Sequence, residues 1–347
     1  MKLSIKLIIT LVISFAYTYS YSQEKNCKKS FLIAQYNVEN LFDTIDNPHK
    51  NDNDFLPKGR KQWTSERYWN KQEKIAKVIS NIDSKHFPDL ISLVEIEDIV
   101  VLQDLVKENS IAKVKYKIIH HEGPDARGID CALLYNPKSF KLINTHFYQV
   151  KMKDNNYFKT REILYAKGRI KSKDDIHIFV NHWPSRRGGE KKSAPKRNLA
   201  ASVLKHAVDS IFKDDPQAKI IILGDFNDET NNESIKNILG ATADKKRKEP
   251  FLFDMATLQD LKGEGSYYYW RTKEWNMIDQ MIISSGLLNA TSGLQTINED
   301  MNIFNENWIM HKDKNGNMSP AKTYGKGYYG GYSDHLPIYQ YFYYKCK

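Results

Sequence analysis

Five apolar runs in this chain begin or end in acidic, amide or imidazole side chains, and this pattern constrains the fold more than any other feature. Asp89-Leu-Ile-Ser-Leu-Val-Glu95 ends in a carboxylate, and Ile176-His-Ile-Phe-Val-Asn-His182 ends in an imidazole. Lys219-Ile-Ile-Ile-Leu-Gly-Asp-Phe-Asn227 ends in Asp225 and Asn227, Phe31-Leu-Ile-Ala-Gln-Tyr-Asn37 ends in an amide, and Ser333-Asp-His335 opens the final run. Short apolar runs bounded by turn residues read as buried strands. A core strand has no use for a charged terminus, whereas oxygen and imidazole groups gathered at strand ends are how a sheet builds a hydrolytic metal site.

Helices fall between these runs. The spacing predicts a helix over 66–82, with Tyr68, Ile75, Val78, Ile79 and Ile82 on one face, another over 98–109, and a third opening at Pro195 that buries Leu199, Val203, Leu204, Ala207, Val208 and Ile211. Further strands are expected at 115–121, 130–136, 143–149, 162–170, 277–283 and 336–344, with a short helix near 232–239. The stretches 43–64 and 296–332 are polar and read as long surface loops. No linker divides the chain, and candidate site residues lie in both halves, so one domain over 28–347 is expected. Many strands with helices interspersed suggest an α/β fold: a four-layer sandwich of two packed, mostly antiparallel β-sheets flanked by helices.

The first 22 residues are set apart. Lys2 and Lys6 precede an apolar core, Leu7 to Ala16, too short to span a membrane, and small Ser residues follow. That is the pattern of a signal peptide, with a secreted or periplasmic protein as its consequence. The formal net charge of +10 falls to +8 without Lys2 and Lys6. Such a surface favours polyanions, either nucleic acid or anionic headgroups. Three cysteines suit an oxidising compartment with one bridge and one free thiol. Nothing calls for an obligate protein partner.

Gly224-Asp-Phe-Asn227 is the sharpest motif. Glycine lets the chain turn, after which Asp225 can hold and deprotonate a water while Asn227 fixes its orientation. An Asx turn after a strand is the plainer reading. Asp334 and His335 point opposite ways on a strand, so Asp334 would face a metal and His335 would need another carboxylate. Asp279, inside the apolar stretch Met277–Ser284, needs a partner of its own. Glu95 is a hard oxygen donor suited to Mg²⁺, Mn²⁺ or Ca²⁺. His182 begins His-Trp-Pro-Ser-Arg-Arg-Gly-Gly189, where Arg186 and Arg187 could clamp a phosphate. No Walker loop, dinucleotide fingerprint, nucleophile elbow or zinc-spaced set occurs.

Taken together, Tyr36-Asn37-Val38-Glu39, Leu93-Val-Glu95, Asn181-His182, Gly224-Asp-Phe-Asn227, Ile278-Asp279 and Ser333-Asp-His335 resemble, in order, the motifs of the endonuclease/exonuclease/phosphatase superfamily. The resemblance implies metal-dependent phosphoester hydrolysis on a two-sheet sandwich. Asn37, Glu95 and Asp334 would bind Mg²⁺, and Asp225, aided by Asn227, would position the attacking water. His335, oriented by Asp279, would stabilise phosphoryl charge, and His182, with Asp130 as a candidate support, would be a second donor. An exported nuclease acting on DNA or RNA is the expected function. The alternative is a phosphodiesterase or phosphatase for phospholipid headgroups or small phosphoesters. The resemblance also makes the first and last strands antiparallel neighbours, which would let Cys27 bridge Cys346 and leave Cys131 free.

Overall fold

The computed structural model describes residues 28–153, 155 and 158–345. The segment 1–22, Cys27 and Cys346 lie outside the described residues.

Two seven-stranded sheets pack face to face. In the first sheet β1 (Lys28–Leu41) is central, antiparallel to β18 (Ile338–Lys345) and parallel to β2 (Leu90–Ile96). Beyond β2 lie β4 (Asp130–Tyr135) and the edge strand β3 (Lys117–His120), while the short β14 (Gln295–Thr296) and β15 (Asn302–Ile303) cover the far side of β18. The second sheet runs β5 (Phe140–Tyr148), β6 (Ile163–Ile170), β7 (Asp175–His182), β8 (Lys219–Asp225), β13 (Asp279–Ser284), β10 (Leu252–Asp254) and β9 (Ala241–Thr242). Among the described residues only β1–β2, β7–β8 and β9–β10 are parallel, and each needs a crossover.

Between the sheets an apolar layer forms from alternate residues of both, among them Phe31, Ile33, Leu90, Val94, Leu164, Ile178, Val180, Ile221, Leu223 and Met281. Alternation explains why the runs read as continuous: the opposite faces of the same strands are covered by helices. Helix α1 (Ser65–Asn81) lays Tyr68, Ile75, Val78 and Ile79 on the first sheet beside α2 (Ile99–Leu105), whose N-cap Asp98 accepts the N–H groups of Val100 and Val101. Helix α3 (Glu190–Asp214) covers the second sheet. The chain is thus the four-layer sandwich its sequence suggests.

Three expectations need correction. Helix α3 starts at Glu190 rather than at Pro195, and its buried face is Ala200, Ala201, Leu204, Ala207, Val208 and Phe212, with Leu199, Val203 and Ile211 only half-buried. Arg197 is wholly buried on that helix and ion-paired to Asp228 at 2.7 Å, which the apolar periodicity could not show. The polar stretch 43–64 is not simply a surface loop: Trp63 is fully buried and donates to the Phe42 carbonyl at 2.8 Å, while Phe42 stacks on Phe55. Likewise 296–332 buries Met301, Phe304, Ile309 and Tyr324 and forms the hairpin of β16 (Met310–Lys312) and β17 (Met318–Pro320). Aromatic anchors spaced without period give no strand or helix signal, so composition alone makes such segments look solvated.

Candidate active site

The candidate site residues converge where one end of each sheet meets the other. Two backbone irregularities aim them. The β1–β2 ladder breaks between Asn37 and Leu41, with Glu39, Asn40 and Glu95 at positive φ. A bulge re-aims side chains that strict alternation would send elsewhere. At Gly224, φ is +147° and a Cβ would lie 2.0 Å from the Asn181 carbonyl oxygen, so only glycine lets β8 approach β7 here and turn into Asp225.

Asp225 is the hub. It stands directly beside His182 on β7 and opposite Asp279 on β13. From the other sheet, Asn37 donates its Nδ2–H to Asp225 Oδ2 at 3.1 Å, while Asp225 Oδ1 accepts the Asn227 N–H at 2.8 Å. The Asn227 side chain donates to the Trp183 carbonyl at 3.0 Å, which fixes the turn after the strand. Burial of the Asp225 carboxyl pushes its pKa upward, His335 opposes that, and Asp279 adds to it.

His335 is held tightly. Its Nδ1 lies 2.6 Å from Asp279 Oδ2, and its Nε2 faces Asp225 Oδ2 at 4.0 Å. Asp279 in turn accepts Ser266 Oγ–H at 2.6 Å and Gln35 Nε2–H at 3.2 Å, and Ser92 donates to Gln35 Oε1. Burial disfavours a charged imidazole, yet Asp279, Asp225 and Asp334 outweigh it and raise the His335 pKa well above the usual histidine value. Its Nδ1 is thereby committed to Asp279, while Nε2 faces the cleft, 3.5 Å from the Asn37 amide nitrogen.

His182 behaves oppositely. Its Nε2 points to Glu95 Oε1 at 3.8 Å and Asp225 Oδ2 at 3.7 Å, but its buried Nδ1 has no hydrogen-bond partner. Burial, and then the cations Arg161, Arg127 and His335, drive its pKa well below the usual value. Asp130 Oδ1 accepts the Gly123 N–H at 3.1 Å, and its Oδ2 lies 3.7 Å from His120 Nε2.

On the far rim, Glu95 Oε2 accepts the Asn40 N–H at 2.8 Å, Asn37 Oδ1 accepts the Glu39 N–H at 3.0 Å, and Asp334 is half-exposed. Two carboxylates and an amide oxygen suit a hard divalent cation, and both carboxylates keep partial access to solvent. Among the described residues, no three acidic, imidazole or thiol side chains already form a metal-holding group. Arg186 is committed to the loop after Asp225: it donates to the Asn227 carbonyl at 2.8 Å and to Asn232 Oδ1 at 3.0 Å, close to Asp228 and Glu229. Arg187 is exposed.

Sequence reasoning missed Gln35, Ser92 and Ser266, which support Asp279, and gave no role to Glu39 or Lys71. Glu39 is buried and accepts the N–H groups of Thr323 at 2.6 Å and Tyr324 at 3.0 Å; Lys71 is buried and donates to Thr323 Oγ1 at 2.5 Å and the Tyr332 carbonyl at 2.6 Å. A lysine and a glutamate inside apolar faces were the available signal.

The model of the endonuclease/exonuclease/phosphatase family matches residues 32–344, so the chain belongs to that family. Solved structures share the fold at low identity. The human Nocturnin catalytic domain with bound sulfate is 18% identical (TM-score 0.53, covering 90% of this chain and 94% of that one). Danio rerio TDP2 complexed with single-strand DNA product is 15% identical (0.56; 90% and 99%). An endonuclease/exonuclease/phosphatase family protein from Bacteroides thetaiotaomicron is 14% identical (0.55; 92% and 100%). No curated protein sequence matches the chain.

Proposed function

We propose that the protein is a divalent-metal-dependent phosphodiesterase acting on nucleic acid. The observation that carries this is the convergence on Asp225 of two histidines in opposite surroundings, His335 from the turn ahead of β18 at 4.0 Å and His182 from the end of β7 at 3.7 Å. A base beside a fixed cationic donor is what water attack on phosphorus needs. Asp225 takes a proton from a water as its oxygen attacks phosphorus. The P–O bond to the leaving alkoxide breaks, and water protonates that alkoxide. His335, locked by Asp279, offers Nε2–H to the phosphoryl oxygens as they gain charge. His182 offers its edge from the opposite side. Asn37, Glu95 and Asp334 would hold Mg²⁺, or Mn²⁺ or Ca²⁺, which supplies Lewis-acid polarisation of the phosphate.

The net charge of +10 supports a polyanionic substrate. Incubating purified protein with plasmid, RNA and sphingomyelin, each with Mg²⁺ or with EDTA, tests the reading. Cleavage of DNA or RNA that EDTA abolishes is expected. Hydrolysis of sphingomyelin with both nucleic acids intact would transfer the site to a headgroup phosphodiesterase, and EDTA-resistant cleavage would remove the metal from it.

A further inference from the structure

Helix α1 carries a line of cations along one face. Arg67, Lys71, Lys74 and Lys77 recur at three- and four-residue spacing and so share one face, with Lys61 just ahead of the helix. Among the described residues none of the five is ion-paired to a carboxylate; the neighbouring ion pairs of Arg60 and Lys107 do not involve them. Lys71 is buried, and the other four lie on aromatic rings of the segment 308–332. Lys61 sits 4.5 Å from the Tyr324 ring centre, Arg67 4.5 Å from Tyr328, Lys74 5.5 Å from Tyr332 and Lys77 4.8 Å from Trp308. A ring face or a backbone carbonyl stabilises a cation without cancelling its charge. Lys74 also donates to the Gly330 carbonyl, and Arg67 to the carbonyls of Lys61 and Gln62 at 2.7 and 2.8 Å.

The stripe leads to the chemistry. The segment under it is pinned by Glu39 through Thr323 and Tyr324 and by Lys71 through Thr323 and Tyr332. One residue later Ser333 donates to the Asn37 carbonyl at 2.6 Å, and Asp334 and His335 follow. From Arg67 to Lys77 the helix rises about 15 Å. At roughly 3.4 Å of duplex axis per phosphate on each strand, that length matches about four consecutive phosphates. A single headgroup or monoester reaches one of them.

We propose that Arg67, Lys74 and Lys77, with Lys61 at their head, form the face along which the phosphate backbone of a nucleic-acid strand lies outside the catalytic cleft. This rests on the nucleic-acid reading and assigns its polymer contacts to a surface that makes none of the chemistry. Nucleic acid fits better than a membrane because the rings lie beneath the cations instead of projecting beyond them.

The experiment measures KM for a labelled oligonucleotide against salt at fixed free Mg²⁺, in the native protein and in the triple variant Arg67→Gln, Lys74→Gln, Lys77→Gln. Each lost phosphate contact should reduce the slope of log affinity against log salt by about 0.7–0.9, so a decrease of roughly 2–3 is expected, with kcat unchanged. Hydrolysis of bis(4-nitrophenyl) phosphate should be identical in both proteins. Because Arg67 also supports backbone carbonyls, Lys77→Glu is measured alone: at this exposed position KM for the oligonucleotide should rise with no change in Tm, and Lys77→Arg should restore it. An unchanged slope in the triple variant, with the oligonucleotide still cleaved, overturns the face and leaves the function standing. Hydrolysis of the small diester with no cleavage of DNA or RNA overturns the function itself. Loss of phosphatidylserine-vesicle binding in the triple variant, with an unaltered oligonucleotide slope, gives the face to a membrane and also overturns the proposal.

Discussion

The two histidines of the site sit in opposite kinds of surroundings. His335 is braced by a chain of side chains, Asp279, Ser266, Gln35 and Ser92, drawn from both sheets. His182 has a buried, partnerless Nδ1, and the nearest support is Arg161, which donates to the carbonyls of His182 and Trp183 at 3.1 and 2.5 Å and pairs with Asp125. A carboxylate beside one ring outweighs burial and raises its pKa, whereas burial, reinforced by the Arg161 guanidinium, lowers that of the other. Similar residues a few ångströms from one aspartate are thus pushed apart in pKa by their surroundings, the pattern by which the proposed mechanism gives them different roles.

Breaking the point both share gives the largest effect. Asp225→Asn keeps the shape and the Asn37 contact on one atom but removes the charge that takes up the proton, so turnover should fall by at least ~10²-fold. Single-turnover cleavage of an oligonucleotide measures this, and near-normal rates would take Asp225 out of the catalytic role.

The second test attacks only the braced side. Asp279→Asn leaves His335 without its anion, so its charge and fixed ring position go together. Loss of one positioned donor in such a site costs roughly 10²-fold in kcat. KM should change little, because the donor acts on charge that develops during the reaction. Asp279→Ala should in addition destabilise the fold by about 3–5 kcal/mol, the usual effect of breaking a buried pair. Arg161→Lys, on the other side, should cost less in kcat; an equal loss would mean that His182 depends on its support as strongly as His335 does.

This asymmetry was legible in the sequence only in part. Asp279 in an apolar strand announces that it needs a partner, and His335 lacks one among its neighbours, so their pairing can be argued from residue types. The motif Gly224-Asp-Phe-Asn227 likewise carries its own turn chemistry. The brace behind Asp279 was hidden because Gln35, Ser92 and Ser266 are single polar residues on strands or loops 13 to 244 positions away from it or from each other, joined only by sheet register and packing. Arg186 is a related case: its partners Asn227, Glu229 and Asn232 lie 41 to 46 positions away and meet it only when the loop after Asp225 folds onto it. The fold itself read well where strands were long and apolar. It read poorly from Ala241 to Pro320, where the strands are two to six residues long and most are too brief for a period to register.

A smaller effect, of opposite sign for the two rings, appears in pH. The raised pKa of His335 gives stability that is complete below the unfolded value near 6.5 and is lost as pH rises through the folded value. The lowered pKa of His182 works the other way: the unfolded chain binds the proton more readily, so its neutral burial costs stability as pH falls below about 6.5. In EDTA, the Tm difference between native protein and His335→Gln should therefore grow toward acid pH, while that for His182→Gln should shrink. Imidazole NMR titrations read the same contrast directly, and two rings titrating together near 6.5 would erase it.

The smallest effect on catalysis should come from the chain ends, and it separates the internal brace from the termini. Strands β1 and β18 run in antiparallel register to their last described pair, Lys28 and Lys345. Cys27 and Cys346 are the next residues in the sequence, outside the described part of the chain, while Cys131 is buried and free. An exported protein in which Cys27 bridges Cys346 would have a clip across β1, which carries Asn37, and β18, which follows His335. Closing so long a loop typically contributes about 2–4 kcal/mol, largely by restricting the unfolded chain. Reduction should lower Tm yet leave kcat and the His335 titration unchanged, because Asp279, Ser266 and Gln35 already hold the ring without help from the ends. Non-reducing peptide mapping decides the pairing, and a bridge to Cys131 would refute it. A fall in kcat on reduction, with the bridge found as expected, would show that the braced side owes its order to the termini as much as to its buried hydrogen bonds.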